Sequence, residues 1–189
     1  MLAAAAEAAQ GLAPNVSFRQ GSSNALGPHL GRFRLVTMGR SFHWMDRADT
    51  LGRLERMIEA GGAIALFRDA HIDVPQNAWR KQWREITDRY ASEDSVRERR
   101  RGGNCLPHET FLLASKFSRL GSLSLVAERV STTESLIDRA LSMSSVSRAR
   151  IRERADRLVE ELGALLAQVA PDRAASEVIE WSALIARRG

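Results

Sequence analysis

Phe33 to Asp69, FRLVTMGRSFHWMDRADTLGRLERMIEAGGAIALFRD, reads as a strand, a helix and a second strand. Phe33 to Met38 and Ala63 to Phe67 are short apolar runs without polar alternation, the pattern of parallel strands covered on both faces. Between them Leu51, Leu54, Met57 and Ile58 recur at three- and four-residue spacing, one face of a helix, while Arg53, Glu55, Arg56 and Glu59 face water. Asp46 is the expected N-cap, with Asp49 three residues on, and Gly61-Gly62 is expected to end the helix near Ala60. The unit is therefore βαβ, with its two strands parallel. In such sheets ligands sit beyond the carboxyl ends of the strands, so Gly39-Arg40-Ser41-Phe42-His43-Trp44 is where chemistry is expected.

An apolar strand, a short loop ending in His43-Trp44, an amphipathic helix and Gly61-Gly62 before an apolar strand together resemble the central part of class I S-adenosylmethionine-dependent methyltransferases, in their His-Trp form. The resemblance implies an α/β, Rossmann-like sheet, mostly parallel with an antiparallel C-terminal strand. It also implies S-adenosylmethionine as cofactor, with Gly39, Arg40, His43 and Trp44 beside it. Asn15 to Ser23 is expected to hold a short, partly exposed strand in which Val16 and Phe18 alternate with polar residues. Ser22 and Ser23 stand where the family carries its adenine-recognising Asp and the residue after it. A hydroxyl there accepts a weaker bond than a carboxylate, and Gly21-Ser22-Ser23 reads equally as a plain polar loop.

The family's Gly-rich cofactor turn and ribose-binding acid belong upstream of an initial helix like MLAAAAEAAQ, and no Gly-x-Gly-x-x-Gly occurs among the 189 residues. The resemblance thus implies an N-terminally incomplete domain. A late-starting reading frame is the expectation, with upstream codons for a strand, Gly-rich turn, helix and acid-tipped strand, on the order of 40 to 70 residues.

With 44% apolar residues the chain can bury one core, read as a single domain with the nucleotide-fold core at 1–70, a helical cover at 71–120 and sheet closure at 121–189. Its formal charge of +5 rests on arginine, with only Lys81 and Lys116 as lysines, and reads as compositional bias before it reads as a nucleic-acid footprint. Cys105 is the single cysteine and the four histidines lack ligand spacing, so no disulfide framework or metal site is expected. No basic leader precedes the Ala-rich start, which Glu7 and Gln10 interrupt, and no run approaches a membrane span; a cytoplasmic protein is expected.

From Asn77 to Tyr90, Trp79, Trp83, Ile86 and Tyr90 form an aromatic helical stripe. By resemblance Trp79 and Trp83 cover an acceptor pocket; as spacing alone they read as core. Arg97 to Gly103 is a basic run, either a solvated surface or a phosphate contact. Ser122 to Val130 is expected as a strand, Thr132-Thr133-Glu134 as a helix start, Arg150 to Val169 as one amphipathic surface helix, and Val178 to Ala186 as the closing strand. The function implied is methyl transfer to a small-molecule acceptor. No catalytic residue is assigned, since His43 can act as a base or merely line the pocket. The alternatives are a degenerate methyltransferase-like binding protein and a basic nucleic-acid-binding module; a membrane role is not expected, and the oligomeric state is left open.

Overall fold

The structure is a computed structural model, and it describes residues 2–11, 15–91 and 106–189. The basic run from Arg97 to Gly103 and Cys105 lie outside the described residues. The elements run α1 (Leu2–Ala9), β1 (Phe33–Gly39), α2 (Arg47–Glu55), β2 (Ile58–His71), α3 (Trp79–Tyr90), α4 (His108–Leu113), β3 (Arg119–Thr132), α5 (Thr133–Leu141), α6 (Arg148–Ile151), α7 (Arg154–Val169) and β4 (Ala174–Arg187). The four strands form one sheet in the order β1-β2-β4-β3.

The chain divides into two compact units, one of Met1–Leu66, His108–Gly121 and Ile185–Gly189, the other of Phe67–Pro107 and Ser122–Leu184. Within the first unit, the Phe33 amide donates to the Met57 carbonyl at 2.8 Å, which sets the starts of β1 and β2 side by side, as parallel strands require. There Arg188, just past β4, donates to the Glu55 and Ile58 carbonyls, and the Gly189 amide to Lys116. Within the second unit the start of β4 lies by the ends of its neighbours: Glu177 meets His71 of β2 and Ser131 of β3. β4 is thus antiparallel to β2 and β3, which share one direction with β1. This is the mostly parallel sheet with a reversed last strand that the sequence led us to expect.

Several expectations need correction. Asn15 to Gln20 forms no strand, and Val16 and Phe18 stay exposed; two alternating apolar residues without a paired backbone do not hold an extended ladder. β1 is not covered on both faces. It is terminal in the strand order, and of its residues only Met38 is buried while Leu35 is 55% exposed. Helix α2 stops at Glu55, five residues before Ala60. Leu51, Leu54, Met57 and Ile58 are all buried as the spacing required, yet the last two have already left the helix. Gly61, expected as the helix stop, instead lies inside β2 with φ +78°, a left-handed conformation open to glycine. The long C-terminal helix is two helices, because Arg152 takes φ +48° and breaks it between Ile151 and Arg154.

Other signals form as read. The Asp46 carboxylate accepts the Asp49 amide at 3.0 Å, capping α2, and the Thr132 hydroxyl accepts the Ser135 amide at 3.2 Å, capping α5. In the second unit Leu158, Leu162, Leu165 and Leu166 of α7 pack with Leu136 of α5 and Trp83 of α3 into one buried cluster. Burying each leucine contributes about 1.5–3 kcal/mol before chain entropy is counted.

Candidate functional site

Of the eight residues singled out from the sequence, six lie in the first unit and two in the second. At the carboxyl end of β1 the chain leaves the sheet through Gly39 and Arg40. A Cβ built at Gly39 meets nothing within 4 Å, and Arg40 takes φ +53°, a conformation that costs a side-chain-bearing residue roughly 1–2 kcal/mol. Arg152 and Arg173 also take positive φ elsewhere in the chain. Phe42–Trp44 then makes one 3-10 turn whose Phe42 is buried and anchors the loop, leaving His43 half-buried and Trp44 54% exposed.

The His43 ring lies 4.9 Å from that of Trp44 and stacks with the ring of His108 at the start of α4, 6.5 Å away and nearly parallel at 9°. Phe42 also meets His108, at 5.2 Å. Arg47, in the first turn of α2, donates to His108 Nδ1 at 3.4 Å and lies 3.8 Å over the Phe111 ring. The result is a ring-lined loop backed by one guanidinium. Sequence reading singled out His43 and Trp44 but not His108 or Arg47, whose pairing spans 61 residues and leaves no local spacing to read.

Ser22 is exposed and caps the 3-10 turn Ser23–Ala25, its hydroxyl accepting the Asn24 amide at 3.3 Å. A hydroxyl oxygen has two lone pairs, so one remains for a ligand donor. The turn after Ser22 packs on α2, and Arg53 of that helix donates to the Leu26 carbonyl at 3.4 Å, so the serine loop and the His43-Trp44 loop are tied to the same helix.

In the second unit Trp83 is buried in the core cluster, and Trp79 packs against it with its ring edge-on at 5.8 Å. The Trp79 indole N–H donates to the Ser176 carbonyl at 3.2 Å. These contacts are those of core residues. Among the described residues no group of three His, Cys, Asp or Glu side chains is placed to hold a metal ion, and no helix is long and apolar enough to cross a membrane.

The densest polar cluster of the second unit was not singled out from the sequence. Glu177 of β4 is fully buried, and both its oxygens are saturated. Its Oε1 accepts from Arg129, Ser131 and Arg139 at 3.1, 3.2 and 2.9 Å; its Oε2 accepts from His71, Arg80 and Arg139 at 2.7, 3.1 and 3.0 Å. Burial alone would raise the carboxyl pKa, but hydrogen bonds from His71, Arg139 and Arg129 outweigh it and hold the group well below the usual carboxylate range. The one available sequence signal was phase. Ala175, Glu177 and Ile179 alternate along β4 and all point inward, so a carboxylate occupies a core position and must be paired.

No family model matches the sequence, and comparison with curated proteins finds no significant relative. Solved structures do resemble the chain. It superposes with a TM-score of 0.52 on a protein of Anaeromyxobacter dehalogenans proposed to be a type II methyltransferase, at 15% identity, over 92% of this chain and 71% of that one. The fold is that of a Rossmann-like methyltransferase domain. A protein of Bacillus halodurans proposed to be a methyltransferase aligns at 16% identity over 98% of this chain and 78% of its own, with a TM-score of 0.48. The YcgJ protein of Bacillus subtilis aligns at 15% identity over 100% and 79%, with a TM-score of 0.47.

Proposed function

We propose that this chain works as an S-adenosylmethionine-dependent methyltransferase domain acting on a small-molecule acceptor in the cytoplasm. The observation that carries the reading is the likeness in fold to a protein proposed to be a methyltransferase, over 92% of the chain. The loop at the carboxyl end of β1 supports it. Gly39 leaves open space, Trp44 presents an exposed ring and Ser22 keeps a free acceptor lone pair, features that suit a flat heterocycle with an amino group. S-adenosylmethionine would supply an electrophilic sulfonium methyl. The chain's part is to hold the two reactants in line and keep water out, since positioning alone accounts for much of the rate in such transfers.

In this reading Gly39, Arg40, His43 and Trp44 lie beside the cofactor, and Ser22 and Ser23 face the adenine. The hydrogen bonds of a Gly-rich turn and a ribose-binding carboxylate are worth about 1.5–3 kcal/mol apiece. The 189 residues carry no such turn, so their cofactor affinity should be weaker than a complete site's by about two to four powers of ten. The test is an amide-resolved NMR titration with S-adenosylhomocysteine. Saturable shifts are expected at Gly39, His43 and Trp44, and Trp44→Ala should weaken them. Shifts absent from 39–44 at millimolar ligand would sink the proposal.

A further inference from the structure

Three guanidiniums, those of Arg80, Arg129 and Arg139, are ion-paired with the single carboxylate of Glu177 at 2.9 to 3.1 Å. A buried carboxylate is neutralised by one cation, and each further cation brought up to it adds repulsion and desolvation. The strain falls on Arg80, whose pKa burial lowers to about 10; Glu177 opposes this, and Arg139, Arg84 and Arg129 add to it. Among the described residues these three arginines make no ion pair with any other carboxylate, so the cluster carries more positive charge than it neutralises. A cluster serving stability alone has no use for that surplus.

The surplus is also unfinished in its hydrogen bonding and open on one side. Arg129 Nε is buried without a partner, whereas nearly all buried donors are satisfied. The side chains of Arg129 and Arg139 are 37% and 33% exposed, so the cations reach solvent while Glu177 does not. Arg129 lies 6.0 Å from the half-buried Trp181 ring. The location is telling as well: His71 ends β2, and Arg129 and Ser131 lie in the last four residues of β3, so the cluster crowns the carboxyl ends of two parallel strands, the ligand-binding edge of an α/β sheet.

We propose that this cluster is an oxyanion-binding site, taking the carboxylate or phosphate of a small molecule between Arg129 and Arg139. Planar guanidiniums bind either group through paired N–H donors, and Arg129 and Arg139 are the part-exposed guanidiniums of the cluster that a ligand from solvent can reach. The ligand's charge compensates the excess that Glu177 leaves. The site stands on the geometry of the second unit and does not depend on methyl transfer.

The experiment measures anion binding to the full chain by calorimetry and by thermal shift, with benzoate and inorganic phosphate as probes, sodium chloride at matched ionic strength and neutral benzamide as controls. Saturable binding of one or both oxyanions is expected, with no response to benzamide; a preference for benzoate assigns a carboxylate ligand, and a preference for phosphate a phosphoryl one. Arg129→Gln should weaken binding about tenfold or more, the loss of a charge-assisted pair, and Arg129→Lys should recover part of it. Arg148→Gln, at a guanidinium that pairs with Asp156 instead of Glu177, should bind as wild type. Glu177→Gln should bind anions more tightly, because the competing carboxylate is gone, a gain that a purely structural cluster cannot show. Arg129 is partly exposed, so its variants test the site even where Glu177→Gln fails to fold. Thermal shifts no larger than those in chloride, or an Arg129→Gln chain that binds as wild type, would overturn the proposal.

Discussion

Glu177 shows how far one residue's environment can depart from its sequence context. It sits in an apolar strand, yet its carboxylate accepts from four side-chain partners besides Ser131. Removing the charge leaves part-buried cations uncompensated, and solvent at Arg129 and Arg139 softens the cost, so Glu177→Gln should destabilise the chain by about 1–3 kcal/mol at neutral pH. The pH dependence follows from the lowered carboxyl pKa. The unfolded chain takes up the proton near the ordinary value of 4.5 and the folded chain only at lower pH, so acid favours unfolding. The contribution is whole above 4.5 and lost as the pH falls below it, by up to about 1.4 kcal/mol per pH unit for one proton. Urea denaturation of wild type and Glu177→Gln should show a gap that shrinks as the pH falls below the unfolded value. A gap that keeps its full size at pH ~3 would refute the assignment. Exposed Glu161, whose carboxyl the Tyr90 hydroxyl lowers, titrates alike in both proteins and cancels in the difference.

The junction of α2 and β2 shows why element boundaries were harder to read than element types. Gly61-Gly62 reads as a helix stop because helices commonly end on a glycine in the left-handed conformation. In the structure the glycines do a strand's work: Gly61 bends β2 at φ +78°, and at Gly62 a Cβ would lie 2.8 Å from both the Arg34 carbonyl oxygen and Ile58 Cγ2. The first of those neighbours is backbone and cannot yield cheaply. Gly62→Ala should therefore cost about 1–3 kcal/mol, as overpacking does. Gly52 makes the contrast. It is an exposed residue of α2 with nothing within 4 Å of a built Cβ, so Gly52→Ala should stabilise by about 0.5–1 kcal/mol through helix propensity. Chemical denaturation of the two variants checks the pair, and equal effects would contradict the close approach of β1 and β2 at Gly62. The break at Arg152 was illegible for a similar reason. The apolar spacing of Ile151, Ala155 and Leu158 continues across it, and these residues stay buried on both sides.

At the scale of the whole molecule, charge bears on the nucleic-acid alternative. The +5 balance includes arginines paired with carboxylates, Arg53 with Asp49 and Arg89 with Glu161, and the surplus at Glu177 is read as a site for a small oxyanion, not a nucleic-acid surface. We expect no retention of duplex DNA at physiological salt; a gel shift that weakens steeply with salt and vanishes on replacing Arg99, Arg100 and Arg101 with Ala would instead establish phosphate binding. Sequence alone determined the βαβ start, the cap at Asp46, a cap at Ser131 or Thr132 for α5, the aromatic stripe of α3 and the inward face of α7, because each is written in residues three to five apart and periodicity reports it. It also pointed, through resemblance, to the reversed last strand. Only the tertiary structure decided that β1 is terminal in the sheet, that His108 and Arg47 back the His43 loop, and that four cationic or imidazole side chains meet on Glu177. Those partners lie 38 to 106 residues from Glu177, and at such separations only strand order brings residues together.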